Sequence, residues 1–182
     1  MKMKMILLTC LIPFAYAGFV CNGDFEAYYL NESFDGDYYL ETASNLTCWY
    51  NLNYGIIEIK RLALPVSSQA AELTTTLPYT LCQDVTLVLG NKYRLNYSLL
   101  CPKKLYNMLM TVKLNSVILS TLYISSASTF GQNSVEFDAL SELNQFCFSE
   151  THSANFFYNL KNFVGGLLDN ITIEDITPQV IN

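Results

Sequence analysis

From Leu81 to Leu99 the chain alternates with a period of two, which belongs to strands and not to helices. Leu81, Gln83, Val85 and Leu87 share one face of the first run. Gly90-Asn91 turns the chain. Tyr93, Leu95, Tyr97 and Leu99 then share a face, with Arg94, Asn96 and Ser98 opposite. Similar runs occur at Gly55–Lys60, at Met110–Leu114 and Val117–Ile124 around an Asn115-Ser116 turn, and at Leu167–Ile173. Phe146–Ser149 and Asn155–Leu160 read as a further hairpin through Thr151-His152-Ser153. Convincing amphipathic helices are few, and neither a repeat nor a linker interrupts the pattern. These features predict an all-β chain, a single antiparallel β-sandwich. Its core is expected to hold Phe25, Trp49, Leu81, Val85, Leu95, Tyr97, Phe148, Phe157, Ile171 and Ile173. Tyr28 to Tyr54, dense in Tyr and Asn, reads as long loops near one end.

The first residues address the compartment. Lys2 and Lys4 precede an apolar stretch from Met5 to Ala17, which ends in Ala15-Tyr16-Ala17, a small-x-small cleavage pattern. The stretch is too short to cross a bilayer comfortably. Residues 1–17 are therefore expected to be a signal peptide and residues 18–182 the β-sandwich domain, secreted or at the cell surface, with no membrane insertion after cleavage. The C-terminal ITPQVIN has no hydrophobic tail of the kind exchanged for a lipid anchor.

Charge narrows the partners. The net charge is −6, and −8 without Lys2 and Lys4. Nucleic acid and anionic membranes both need a basic patch, which this chain lacks beyond Lys60-Arg61 and Lys103-Lys104. Charged residues make up only 14%, against 13 Tyr. Glycans and aromatic contact surfaces are the natural sources of solubility and binding. Four sequons fit that reading, at Asn31, Asn45, Asn96 and Asn170, and mark the chain as a glycoprotein.

Cys21, Cys48, Cys82, Cys101 and Cys147 follow the leader. In an oxidising compartment such residues pair. No CxxC spacing suggests a metal or redox site. The expected bridges are Cys101–Cys147 and Cys21–Cys48, although spacing alone does not fix connectivity. Five is an odd number. Cys82 shares a face with Asp84 and Thr86, opposite Leu81, Gln83 and Val85, so its thiol is expected to point outward. It would then form an intermolecular disulfide, giving a homo-oligomer, or sit under a loop; an intrachain bond to Cys48 is the alternative.

Several of these pieces, in order, resemble the galactose-binding-like jelly-roll domains, which include carbohydrate-binding modules and related plant cell-wall proteins. Asn22-Gly23-Asp24-Phe25-Glu26 looks like that family's first-strand motif. Trp49 sits where many members carry a structural Trp. LCQDVTLVLGNKYRLNYSLL is similar to the central pattern, and Leu168-Asp169-Asn170-Ile171 to the closing strand. The resemblance covers Cys21 to Ile176. It implies a jelly-roll fold and a structural Ca²⁺ held by Glu26 and Asp169, through the hard oxygen ligands that Ca²⁺ prefers. Independently, Asp169 has the parity of Ile171 and Ile173, which aims it toward the core. A buried carboxylate needs a cation, a basic residue or backbone N–H groups. Cys82 and the Tyr28–Tyr54 segment depart from the family pattern.

Little in the sequence points to catalysis. His152 is the one histidine and falls in a turn. No GxSxG, HExxH or phosphate-binding glycine loop occurs. Acid pairs such as Asp35/Asp37 and Glu174/Asp175 read as solvated turns. Two functions remain. One is carbohydrate binding through exposed rings, with Tyr28, Tyr29, Tyr38, Tyr39, Tyr50 and Tyr54 as candidates. The other is a structural or adhesion role, with the sandwich binding proteins or copies of itself.

Overall fold

Eleven antiparallel strands run through the residues that the computed structural model describes, namely 20–27, 38–42, 46–52, 56–62, 68–73, 80–101, 108–124, 129–151 and 165–179. They are β1 (Tyr38–Thr42), β2 (Tyr50–Asn51), β3 (Ile56–Leu62), β4 (Ser68–Glu72), β5 (Thr80–Thr86), β6 (Lys92–Leu100), β7 (Met108–Leu114), β8 (Val117–Ile124), β9 (Gly131–Asp138), β10 (Leu143–Thr151) and β11 (Leu167–Asp175). Among the described residues there is no helix. The strands form a six-stranded sheet in the order β1-β3-β4-β11-β6-β9 and a five-stranded sheet in the order β2-β5-β10-β7-β8.

The two sheets enclose one apolar layer. The alternation from Leu81 to Leu99 is realised in it: Leu81, Gln83, Val85 and Leu87 are buried, as are Tyr93, Leu95, Tyr97 and Leu99. Aromatic rings join the sheets. Tyr97 of β6 meets Phe148 of β10 edge-on at 5.5 Å, and Phe137 of β9 meets Phe146 of β10 at 5.3 Å. Each such side chain contributes roughly 1.5–3 kcal/mol by leaving water. Phe25, Trp49 and Ile171 are also buried, whereas Ile173 is only partly so. Phe157 lies outside the described residues.

The turn between β7 and β8 is fixed by local chemistry. Asn115 and Ser116 have φ of 48° and 70°, the positive pair that a tight two-residue hairpin requires. Asn115 braces the turn by accepting the Gln145 N–H through Oδ1 and donating to Asn144 Oδ1.

The opening motif is not a strand. Residues 21–27 form turns, with positive φ at Asn22 and Phe25. The segment is nevertheless nailed to both sheets. Gln83 projects inward, and its amide both donates to the Cys21 carbonyl (2.8 Å) and accepts the Cys21 N–H (2.9 Å). Trp49 Nε1 donates to the Asn22 carbonyl at 3.0 Å. The Ile171 N–H donates to the Gly23 carbonyl at 2.9 Å, bringing the start of the domain onto β11.

The cysteines correct part of the sequence reading. One disulfide joins Cys21 and Cys48, the pair expected; the other joins Cys82 to Cys147, not Cys101 to Cys147. Cys82 does share a face with the exposed Asp84 and Thr86, but it stands directly opposite Cys147 on β10 and is fully buried. It is therefore neither an outward thiol nor a link between chains. Cys101 is buried and lies outside both bridges.

The Tyr28–Tyr54 stretch is not all loop, since it contributes β1 and β2. Residues 1–17, Tyr28, Tyr29, Asn31, Asn45, Tyr54, His152 and the Asn155–Leu160 run lie outside the described residues.

Candidate functional site

The outward face of the five-stranded sheet gathers polar and aromatic groups from strands far apart in sequence. Because strand side chains alternate, burying Leu81, Gln83, Val85, Phe146 and Phe148 turns Cys82, Asp84, Gln145 and Cys147 to the opposite side. Register then sets them in rows. Cys147 faces Cys82, which in turn faces Tyr50 on β2, and Gln145 faces Asp84 one row along. The disulfide is the floor of this patch.

Above it, the Tyr50 hydroxyl donates to Asp84 Oδ1 at 2.8 Å and accepts from Gln145 Nε2 at 2.6 Å. Burial, and then the bond to Asp84, raises the Tyr50 hydroxyl above its ordinary pKa, so it stays protonated and remains the donor. Asp84 is exposed and keeps lone pairs free to accept, while Tyr50 and Gln145 are half-buried. The trio thus offers an aromatic ring, a carboxylate acceptor and an amide with both functions, all fixed by one another. On the same face but at the far edge, Tyr123 of β8 is 69% exposed.

Of the six candidate tyrosines, Tyr50 is in this patch. Tyr38 and Tyr39 belong to β1, the edge of the other sheet, so the fold does not gather them with Tyr50. Asp84, Gln145 and Tyr123 were missed in the sequence reading. Asp84 and Gln145 follow from the alternation around Leu81 and Phe146, but which strands would be neighbours is not legible from local pattern.

Glu26 and Asp169, the candidate metal ligands, do come into electrostatic contact. Asp169 is 4% exposed, and its carboxyl is pushed up to about 6, by burial first and also by the charges of Glu26 and Asp24. Its oxygens accept from the backbone N–H and the side-chain amide of Asn170, at 2.7 and 3.1 Å. Glu26 accepts the Gln69 N–H at 2.5 Å. The local charge is negative, the donors are all oxygen, and a hard cation suits such a set. Among the described residues, however, no group of three or more His, Cys, Asp or Glu is placed to hold a metal. Two carboxylates would therefore need backbone carbonyls or water to complete a Ca²⁺ shell.

A second set of acids was also missed. Glu72 and Glu150 are 1% and 2% exposed and accept the N–H groups of the consecutive residues Gly165 and Gly166. Glu72 Oε2 is buried with no hydrogen-bond partner. Burial pushes the Glu72 carboxyl up to about 8; the Gly165 N–H opposes this, and the charges of Glu58 and Glu150 add to it. This pair ties β4 and β10 to the start of β11 and is sealed from solvent.

Of the sequon residues, Asn170 is exposed, with φ of 50° at a register shift in β11, and Asn96 is half-buried on β6, where its Nδ2 donates to Thr172 Oγ1 at 3.4 Å.

No protein-family model and no curated protein matches the sequence. Solved structures do match in fold. A family 35 carbohydrate binding module from Clostridium thermocellum aligns at a TM-score of 0.52 and 11% identity, over 77% of this chain and 99% of that one. A carbohydrate binding module of Cellvibrio mixtus lichenase 5A, in complex with cellotriose, aligns at 0.49 and 10% identity, over 75% and 96%. The C-terminal domain of EclA, described as a sugar-binding protein, aligns at 0.42 and 14% identity over 51% of this chain, which spans 64% of that protein's length. The first of these shares the fold of this chain, a jelly-roll β-sandwich of two antiparallel sheets, as the sequence leads one to expect.

Proposed function

We propose that this chain is a secreted, non-catalytic carbohydrate-binding domain whose sugar site is the outward face of the five-stranded sheet. The observation that carries the reading is the Tyr50–Asp84–Gln145 network. A sugar ring offers an apolar C–H face and a fringe of hydroxyls. The Tyr50 ring supplies a surface for the first, Asp84 and Gln145 supply the second, and hydrogen bonds to a charged acceptor are the stronger kind. The network is bonded before a ligand arrives, so little side-chain ordering is lost on binding. The fold it shares with a carbohydrate binding module supports the same reading, though one fold hosts many functions.

Secretion rests on the Met1–Ala17 leader and is consistent with two disulfides within the chain. Asn96 and Asn170 are on the other sheet, so glycans attached there leave this face open. Glu26 and Asp169 are the residues that would hold Ca²⁺, which would neutralise charge where the opening turns meet β11. Among the described residues, Glu72 and Glu150 lie close together but are buried. A glycan array on the secreted chain tests the proposal. Binding to a defined glycan class that weakens in both Asp84→Ala and Gln145→Ala supports it. A folded chain that binds no glycan, or whose binding ignores both substitutions, contradicts it.

A further inference from the structure

The edge strands of the two sheets are chemically unlike. β9, which ends the six-stranded sheet, carries Glu136 and Asp138. β8, which ends the five-stranded sheet, reads VILSTLYI, with no charge, proline or glycine in eight residues. Among the described residues β8 pairs with β7 alone. Of the devices that protect edges, β8 carries one bulge but no charge, proline or inward-facing lysine. Val117, Ile118 and Tyr123 on it are 61%, 58% and 69% exposed.

The occupant can be read from the strand itself. Residues directly opposite in an antiparallel pair share a face. β7 therefore assigns the faces of β8. Thr121 and Tyr123 lie opposite Thr111 and Leu109, and Ile118 opposite Lys113, all facing outward. Ser120 and Leu122 lie opposite the buried Val112 and Met110, and Val117 opposite Leu114, facing inward with Ile124. The register skips Leu119, so Leu119 is a bulge. A two-fold axis perpendicular to the sheet through Thr121 then places Thr121 against its own copy. Ser120 meets Leu122 of the second copy. Past the bulge, Ile118 meets Tyr123 and Val117 meets Ile124. Every pair joins residues of the same face, and the exposed Ile118 and Tyr123 cover each other twice. Centring on Ser120 would leave Tyr123 and Ile124 overhanging. The two β8 strands themselves carry no charge, although β9, with Glu136 and Asp138, lies beside them.

We infer that β8 is a homodimer interface, on which a second copy of this chain adds its own β8 antiparallel about Thr121. The result is a continuous ten-stranded sheet. The axis keeps both outward faces on one side, so the two Tyr50–Asp84–Gln145 patches point the same way. Seven strand spacings of about 4.8 Å separate their centres on β5, roughly 34 Å before twist. If the sugar reading holds, on which this consequence rests, the dimer is a bivalent reader of glycan-coated surfaces.

Light scattering across a concentration series, with non-reducing electrophoresis, tests the inference. The wild-type secreted chain is expected to dimerise. Thr121→Lys, which sets two cations face to face, is expected to leave a folded monomer. Thr121→Cys is expected to give a covalent dimer, and Ile118→Cys, outward but off the axis, is not. Ile118→Lys should weaken the dimer, and its combination with Tyr123→Glu should restore it. Monomeric Thr121→Lys should bind soluble oligosaccharide as the wild type does, but bind an immobilised glycan surface roughly tenfold or more weakly. A wild type that stays monomeric, or a dimer that persists in Thr121→Lys, overturns the interface. Loss of sugar binding with the dimer intact would count against the sugar site and leave the interface standing.

Discussion

Cys82 and Cys147 stand directly opposite each other on β5 and β10, with Cα atoms 4.2 Å apart, and their bond closes a loop across 65 positions of sequence. A bridge over so long a loop restrains the unfolded chain strongly, and its loss typically costs about 2–5 kcal/mol. Cys82→Ser is therefore expected to lower the denaturant midpoint by that order. Peptide mapping of the wild type should recover Cys82 linked to Cys147. Recovery of Cys82 linked to any other cysteine would refute the pairing.

Glu58 and Glu72 also face each other directly, on β3 and β4, with Glu150 close by. A carboxyl whose folded pKa lies above its unfolded value binds more protons in the folded state. Its stabilising effect is full below the unfolded pKa and is lost as pH rises through the folded one. For Glu72 that window runs from 4.5 to about 8, and for Asp169 from 3.8 to about 6. The chain is expected to resist urea better at pH 5 than at pH 8. Glu72→Gln keeps an acceptor for the Gly165 N–H and cannot ionise, so it should flatten the upper part of the profile. A wild type that grows more stable from pH 5 to pH 8 would contradict this.

Asp169 sits among negative charges with Asn170 as its donor. If Ca²⁺ joins Glu26 and Asp169, the thermal midpoint rises with added Ca²⁺ and falls with chelator. The gain would be about 2.7 kcal/mol at a hundredfold excess over Kd. Asp169→Asn should abolish the response. A midpoint indifferent to both additions would mean that the Asn170 N–H bonds alone satisfy the carboxylate.

Gly23 touches β11 so closely that a Cβ there would lie 2.1 Å from the Ile171 carbonyl oxygen. Backbone cannot yield as a flexible side chain can, so Gly23→Ala is expected to cost roughly 1–3 kcal/mol. Unchanged stability would argue that the opening turns do not dock on β11.

Strands with a clear period of two were readable in the sequence. β5, β6, β7, β8 and β11 fall where alternation and the Asn115-Ser116 turn place them. β9 was not read, because Gln132, Ser134 and Glu136 face solvent and only Val135 and Phe137 carry the apolar signal. β4 was not read either. Its Gln69-Ala70-Ala71-Glu72 stretch has little strand propensity and is held by β3 and β11 on its two sides. The outward parity of Cys82 was right, but its consequence was wrong. Whether an outward thiol meets solvent or another cysteine depends on the neighbouring strand, and β10 follows more than fifty positions later. The Tyr50–Asp84–Gln145 trio has the same origin. Tyr50 could be picked out as an aromatic candidate, whereas Asp84 and Gln145 acquire meaning only through the β2-β5-β10 order.

Chemical-shift mapping with a glycan from the array tests the proposed sugar site most directly. Amide and side-chain shifts are expected to concentrate at Tyr50, Asp84 and Gln145, and Tyr50→Ala is expected to abolish them in a chain that remains folded. Shifts confined to the outward face of the six-stranded sheet, with Tyr50→Ala binding as the wild type does, would contradict it.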